Sequence, residues 1–208
     1  MAPLFKPNLS LLTFLAISFF GFGAQAQCIK VVVEAPTPVV DQSLSRKALA
    51  SGNIRLPNWA AKRFDAIDAR FEGEIDITYS DLHGSANPAA CGTNQPFVMI
   101  MVIKKSFLML ARELDPAGCW FKVVRAHEYK HYEAMANAMK SAAPRIESAV
   151  ESVIAKYAGS GDTQQAVYAV LEAEINHMYE VIDRANEHID SLEEIKPEYA
   201  ACDDHSGR

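Results

Sequence analysis

The sequence predicts an α+β fold, a small N-terminal sheet packed against a C-terminal antiparallel helical hairpin. Three observations predict it. Short β-branched or alternating runs fill the first half of the chain, and long helical patterns fill the second. Gly159-Ser160-Gly161-Asp162 parts those helical patterns with a turn. The first helical pattern also carries His127-Glu128-Tyr129-Lys130-His131, a complete H-E-x-x-H.

Taken in order, residues 1–26 read as a secretory signal peptide. Lys6 supplies a positive start, Leu11 through Phe22 an apolar run, and Ala24-Gln25-Ala26 an A-x-A cleavage site, so the mature chain begins at Gln27. The apolar run is short for a membrane span and no basic stop follows it. An exported protein, periplasmic or extracellular, is expected, with no stable membrane insertion after cleavage. Residues 27–208 have the length of a single domain. Cleavage removes Lys6 and no acid, taking the net charge from -6 to -7. An acidic surface without a basic patch disfavours nucleic acid and anionic membrane as partners.

Ile29–Glu34 is β-branched and reads as a first strand; Pro36 and Pro38 make Ala35–Val39 a connector. Ser43–Ser51 reads as a short helix ended by Gly52-Asn53. Pro57–Phe71 has Trp59, Phe64, Ile67 and Phe71 near helical spacing. Glu74–Tyr79 alternates and reads as a strand, 81–96 as a loop, and Phe97–Ile103 as a central strand. After the turn Asp115–Gly118, a helical pattern runs to about Ala158, with Pro144 expected to kink or break it. A second runs from Thr163, behind Asp162 as N-cap, to about Ile195, and stops before Pro197.

Helical residues four apart share a face, so His127 and His131 are expected to hold one metal ion. Glu128, one residue away, is then placed to take a proton from water at that ion. Zn2+ is the expected cofactor, because imidazole nitrogens and one open position suit it. Catalytic zinc usually has three protein ligands. A third His six residues beyond the motif would fall at Asn137, which excludes that pattern. In an antiparallel hairpin about Ser160, His131 lies 29 residues before the turn and His188 lies 28 after it. Packed helices sit about 8–10 Å apart, a gap that imidazoles and a metal can bridge. His188 is the expected third ligand, with Glu187, Glu174 and Glu180 as rivals and His177 farther from register.

The four cysteines follow the cleavage site, and in an exported protein an even number suggests two disulfides. Cys119 lies 41 before Ser160 and Cys202 lies 42 after it, so these two are expected to pair. That leaves Cys28 with Cys91.

Cys119-Trp120-Phe121 through His131-Tyr132-Glu133 resembles the core of a bacterial family of predicted secreted zinc-dependent proteases, long filed as a domain of unknown function. The similarity covers roughly the last hundred residues. Members carry a second element, Tyr-Asp-x-x-Thr-x-His-Gly. Here Ile182-Asp183-Arg184-Ala185-Asn186-Glu187-His188-Ile189 matches it at Asp183 and His188 and departs at Ile182, Asn186 and Ile189. The resemblance implies His188 as a zinc ligand and Asp183 as an outer partner that orients an imidazole. The expected function is a zinc metallopeptidase acting on peptide or protein substrates, with Glu128 as general base. The alternative is an exported metal-binding or scaffold protein that hydrolyses nothing. Tyr129, Tyr132 and Tyr179 are candidate oxyanion donors whose plainer role is packing.

Overall fold

A central strand, β4 (Phe97–Leu110), organises the sheet, and alternation explains its place. Phe97, Met99, Met101 and Ile103 are buried toward the helices, while Val98, Ile100 and Val102 are only partly covered. The computed structural model describes residues 28–51, 68–79, 97–158, 160–200 and 202. Along one edge of β4 run β1 (Ile29–Glu34) and then β2 (Val39–Asp41), both parallel to it. The residue offset is the same for both, so they form one edge strand with an interruption. Pro36 and Pro38 occupy the interruption, where a proline nitrogen has no N–H to give the ladder.

β3 (Ala69–Tyr79) pairs antiparallel along the other edge. Its register shifts between Glu72 and Glu74, opposite Lys105, whose φ of 51° is in the left-handed region. The bulge turns two lysines outward, Lys104 to Asp76 and Lys105 to Glu74. It also carries β4 past the charged pair, so the strand continues to Leu110 rather than ending at Ile103. Gly73 lies at this shift. A side chain there would run into the Phe71 ring, which instead packs edge-on against Tyr132.

The short helix α1 (Arg46–Ala50) is capped by Ser45, whose side chain accepts from the Ala48 N–H, and buries Leu49. Then come the long helices α2 (Cys119–Lys156) and α3 (Thr163–Ile189), and a short α4 (Leu192–Ala200). One face of α2 buries Tyr132, Ala136, Met139, Ile146, Val150 and Ile154. They meet Val167, Leu171, Met178 and Ile182 of α3, together with the inner side chains of β1 and β4, in one core cluster. Truncating such a side chain to alanine typically costs about 2–5 kcal/mol. Contacts between α2 and α3 pair Arg145 with Glu174, His131 with Asn186 and His127 with Asp190. The molecule is thus α+β, a small sheet beside mostly helical structure.

Four readings of the sequence are corrected. Ala69–Phe71, expected at the end of a helix, are strand, because pairing with β4 outweighs their helical spacing; the rest of that expected helix, Pro57 to 67, lies outside the described residues. Pro144 does not end α2. Its ring sits on the exposed side, where water can bond the backbone carbonyl that it leaves free. The second long helix stops at Ile189, not near Ile195, and α4 begins after Ser191. Pro197 lies inside α4 instead of following a helix end.

Cys119 and Cys202 form the expected disulfide, with Cα atoms 5.8 Å apart across 83 residues of sequence. Cys28 is disulfide-bonded, and its expected partner Cys91 lies outside the described residues. The leader, the loop 81–96, His83 and His205 lie outside them too. No helix among the described residues is long and apolar enough to cross a membrane.

Candidate metal centre

The H-E-x-x-H segment lies on α2, one turn before the buried Tyr132–Met139 stretch, so its two imidazoles emerge on one side. Their rings are 5.2 Å apart, and their side chains are only 14% and 13% exposed. Each Nε2 lies 3.2 Å from the same atom, Oδ1 of Asp190. The three residues form a group whose ligand atoms all lie within 4.8 Å of one another, close enough to hold a metal ion.

The other ring nitrogens are fixed from outside. His127 Nδ1 donates to Glu198 Oε2 at 2.9 Å, and His131 Nδ1 donates to Asn186 Oδ1 at 2.9 Å. A carboxylate can only accept, so the ring carries a proton on Nδ1, and a second on Nε2 toward Asp190 when it is charged. When the ring is neutral with its proton on Nδ1, the Nε2 lone pair turns inward. Two lone pairs and a carboxylate oxygen facing one point require a cation between them, either protons or a metal. This is the arrangement in which outer hydrogen bonds orient imidazole ligands.

The electrostatics fit that description. Burial opposes charging of His127, but the bond to Asp190 and the nearby Glu128 and Glu198 outweigh it and raise its pKa. Burial likewise opposes charging of His131, and the bonds to Asp190 and Asn186 outweigh it. Burial pushes the Asp190 carboxyl up, yet the two imidazoles hold it well below the usual carboxylate range. Glu128 is pushed up by burial, which outweighs the opposing pull of His131 and His127. The Phe71 backbone of β3 also favours the charged form, to a smaller extent.

His188, expected as the third ligand, is not brought to this group. Its imidazole is 69% exposed and lies 3.5 Å from Glu194 Oε1. The reason is rotation about the helix axis. This part of α3 does lie beside His131, whose Nδ1 is 2.9 Å from Asn186 Oδ1. The side chains that point across are Asn186 and Asp190, four apart, with His188 midway between them and turned away. Asp183, expected to orient an imidazole, is exposed, and that role falls to Asn186 and Glu198. Glu174 binds Arg145, His177 lies beside Glu180, and Glu187 is exposed. Tyr132 donates to the Ala35 carbonyl and Tyr129 packs on Tyr132, which makes both packing residues.

Asp190, Asn186 and Glu198 were not read from the sequence. Two signals pointed to them. Asn186 and Asp190 repeat the four-residue spacing of His127 and His131. Ser191-Leu192-Glu193-Glu194 is a capping-box pattern that starts a new helix, and the Glu194 N–H does donate to Ser191 Oγ at 3.4 Å. That break makes Asp190 the C-cap of α3 and carries Glu198 back over α2.

Comparisons with protein-family models, curated proteins and solved structures gave no match.

Proposed function

We propose that this protein is an exported zinc-dependent peptidase whose zinc is held by His127, His131 and Asp190. The reading rests on one observation above others. Both Nε2 atoms converge on Asp190 Oδ1 while both Nδ1 atoms are engaged by outer acceptors, and Glu128 lies beside them. Two imidazoles and one carboxylate match a ligand set used by catalytic zinc. When bound, such an ion acts as a Lewis acid and lowers the pKa of coordinated water.

The chain's own residues then divide the work. His127, His131 and Asp190 bind. Asn186 and Glu198 orient the imidazoles. Glu128 takes a proton from the attacking water and returns it to the leaving amine. Its raised pKa brings it nearer the operating range of a general base. In this reading α2 and α3 act as an antiparallel hairpin that carries the motif on one arm and its carboxylate partner on the other. The Cys119–Cys202 disulfide is in keeping with an oxidising compartment outside the cytosol.

The test is a comparison of the disulfide-bonded protein with Glu128→Gln, by elemental mass spectrometry and by cleavage of a peptide library. The expected result is one zinc per chain in both proteins and hydrolysis in the wild type alone. Zinc binding without cleavage of any peptide by either protein favours the metal-binding scaffold instead. No stoichiometric metal after zinc is added back sinks both readings.

A further inference from the structure

The α4 helix meets α2 through a bridge of charges that the metal ligands do not by themselves require. Glu198 is only 18% exposed and divides its carboxylate between two residues of α2. Oε2 accepts from His127 Nδ1 at 2.9 Å, and Oε1 accepts from Lys130 Nζ at 2.6 Å. Lys130 also reaches Glu194 Oε2 at 3.4 Å. His127 and Lys130 are three residues apart, hence on one side of the helix, so a single carboxylate can span them.

We propose that Glu198, held in place by Lys130, is a positioning residue that sets the orientation and donor strength of His127 toward the metal. The inference rests on the metal site described above and adds residues outside its ligand set. The physical argument has three links. A carboxylate on Nδ1 fixes the tautomer that leaves Nε2 free, and it raises the basicity of that nitrogen. A partly buried carboxylate facing a neutral ring is unfavourable without a second partner, and the Lys130 ammonium supplies the countercharge. The bridge also needs α4 to lie across α2. Covalent attachment ensures this, since Cys202 lies one turn beyond Glu198 and is joined to Cys119, about two turns before His127. Lys130 is thus a variable position of the motif with a specific task here.

Titrating Co(II) into the metal-free, disulfide-bonded protein tests the proposal, with affinity and the visible ligand-field bands as readouts. Glu198→Ala is expected to weaken Co(II) binding about 10–100-fold and to shift the bands, as loss of an outer partner does. Glu198→Gln should fall between, because its amide oxygen still accepts from Nδ1 without the charge. Lys130→Met should weaken binding, and Lys130→Arg should restore most of it. If Glu198→Ala fails to fold, the glutamine variant carries the test. Wild-type affinity and unchanged bands in the glutamate variants that fold would overturn the proposal. A wild-type protein that takes up no Co(II) overturns the metal site itself, and this inference with it.

Discussion

Asp190 and His127, 63 residues apart in sequence, bring a carboxylate oxygen within 3.2 Å of an imidazole Nε2. Asp190 is the C-cap residue of α3, where the helix ends and the chain turns into α4. A residue at that position can aim its side chain across the helix pair. Asn186, one turn earlier, points the same way and lies 2.9 Å from His131 Nδ1.

This geometry makes the ligand set testable residue by residue. His127→Ala, His131→Ala and Asp190→Ala should each weaken zinc binding by more than about 100-fold, beyond the loss of an outer partner. His188→Ala should leave binding within about twofold, as expected for an exposed side chain outside the site. Equilibrium dialysis against a zinc buffer measures all four. Zinc loss in His188→Ala with retention in Asp190→Ala would reverse the assignment.

Zinc binding should strengthen with pH. Protons compete for the two Nε2 atoms, and binding releases about one to two of them. Both imidazoles titrate above their ordinary value of 6.5, so in the metal-free protein they still hold protons at higher pH. Apparent affinity should therefore keep rising as pH passes 6.5, and fall steeply below it. Calorimetric titrations in buffers of different ionisation enthalpy count the protons released. A flat profile across that range would show that the imidazoles are not the ligands.

The disulfide should support both fold and site. It closes a span of 83 residues, so Cys119→Ser with Cys202→Ser should lower stability by about 2–4 kcal/mol in denaturant unfolding. Because it also straps α4 over α2, zinc affinity should fall in the same variant. Unchanged affinity would mean that noncovalent contacts alone hold α4 in place.

Pro144 offers a test away from the site. Its ring costs an interior helix about 3 kcal/mol in steric clash and a lost hydrogen bond. About 1 kcal/mol of that is offset by the restriction it places on the unfolded chain. Pro144→Ala should therefore stabilise the protein by about 1–2 kcal/mol without changing zinc affinity. Thermal unfolding with and without metal measures both.

The local chemistry was legible in the sequence because it depends on near neighbours. The spacing of His127 and His131 places both on one side of a helix whatever the rest of the chain does. The β-branched run Ile29–Glu34 forms a strand, and counting from Ser160 paired Cys119 with Cys202. Counting residues fixes position along a helix but not rotation about it, so it chose His188 where Asn186 and Asp190 face across. Only the tertiary structure decided that rotation, through the burial of Met178, Ile182 and Ile189 against the core. It also decided that α4 returns over α2 with Glu198, because the capping box at Ser191 starts that helix but does not aim it.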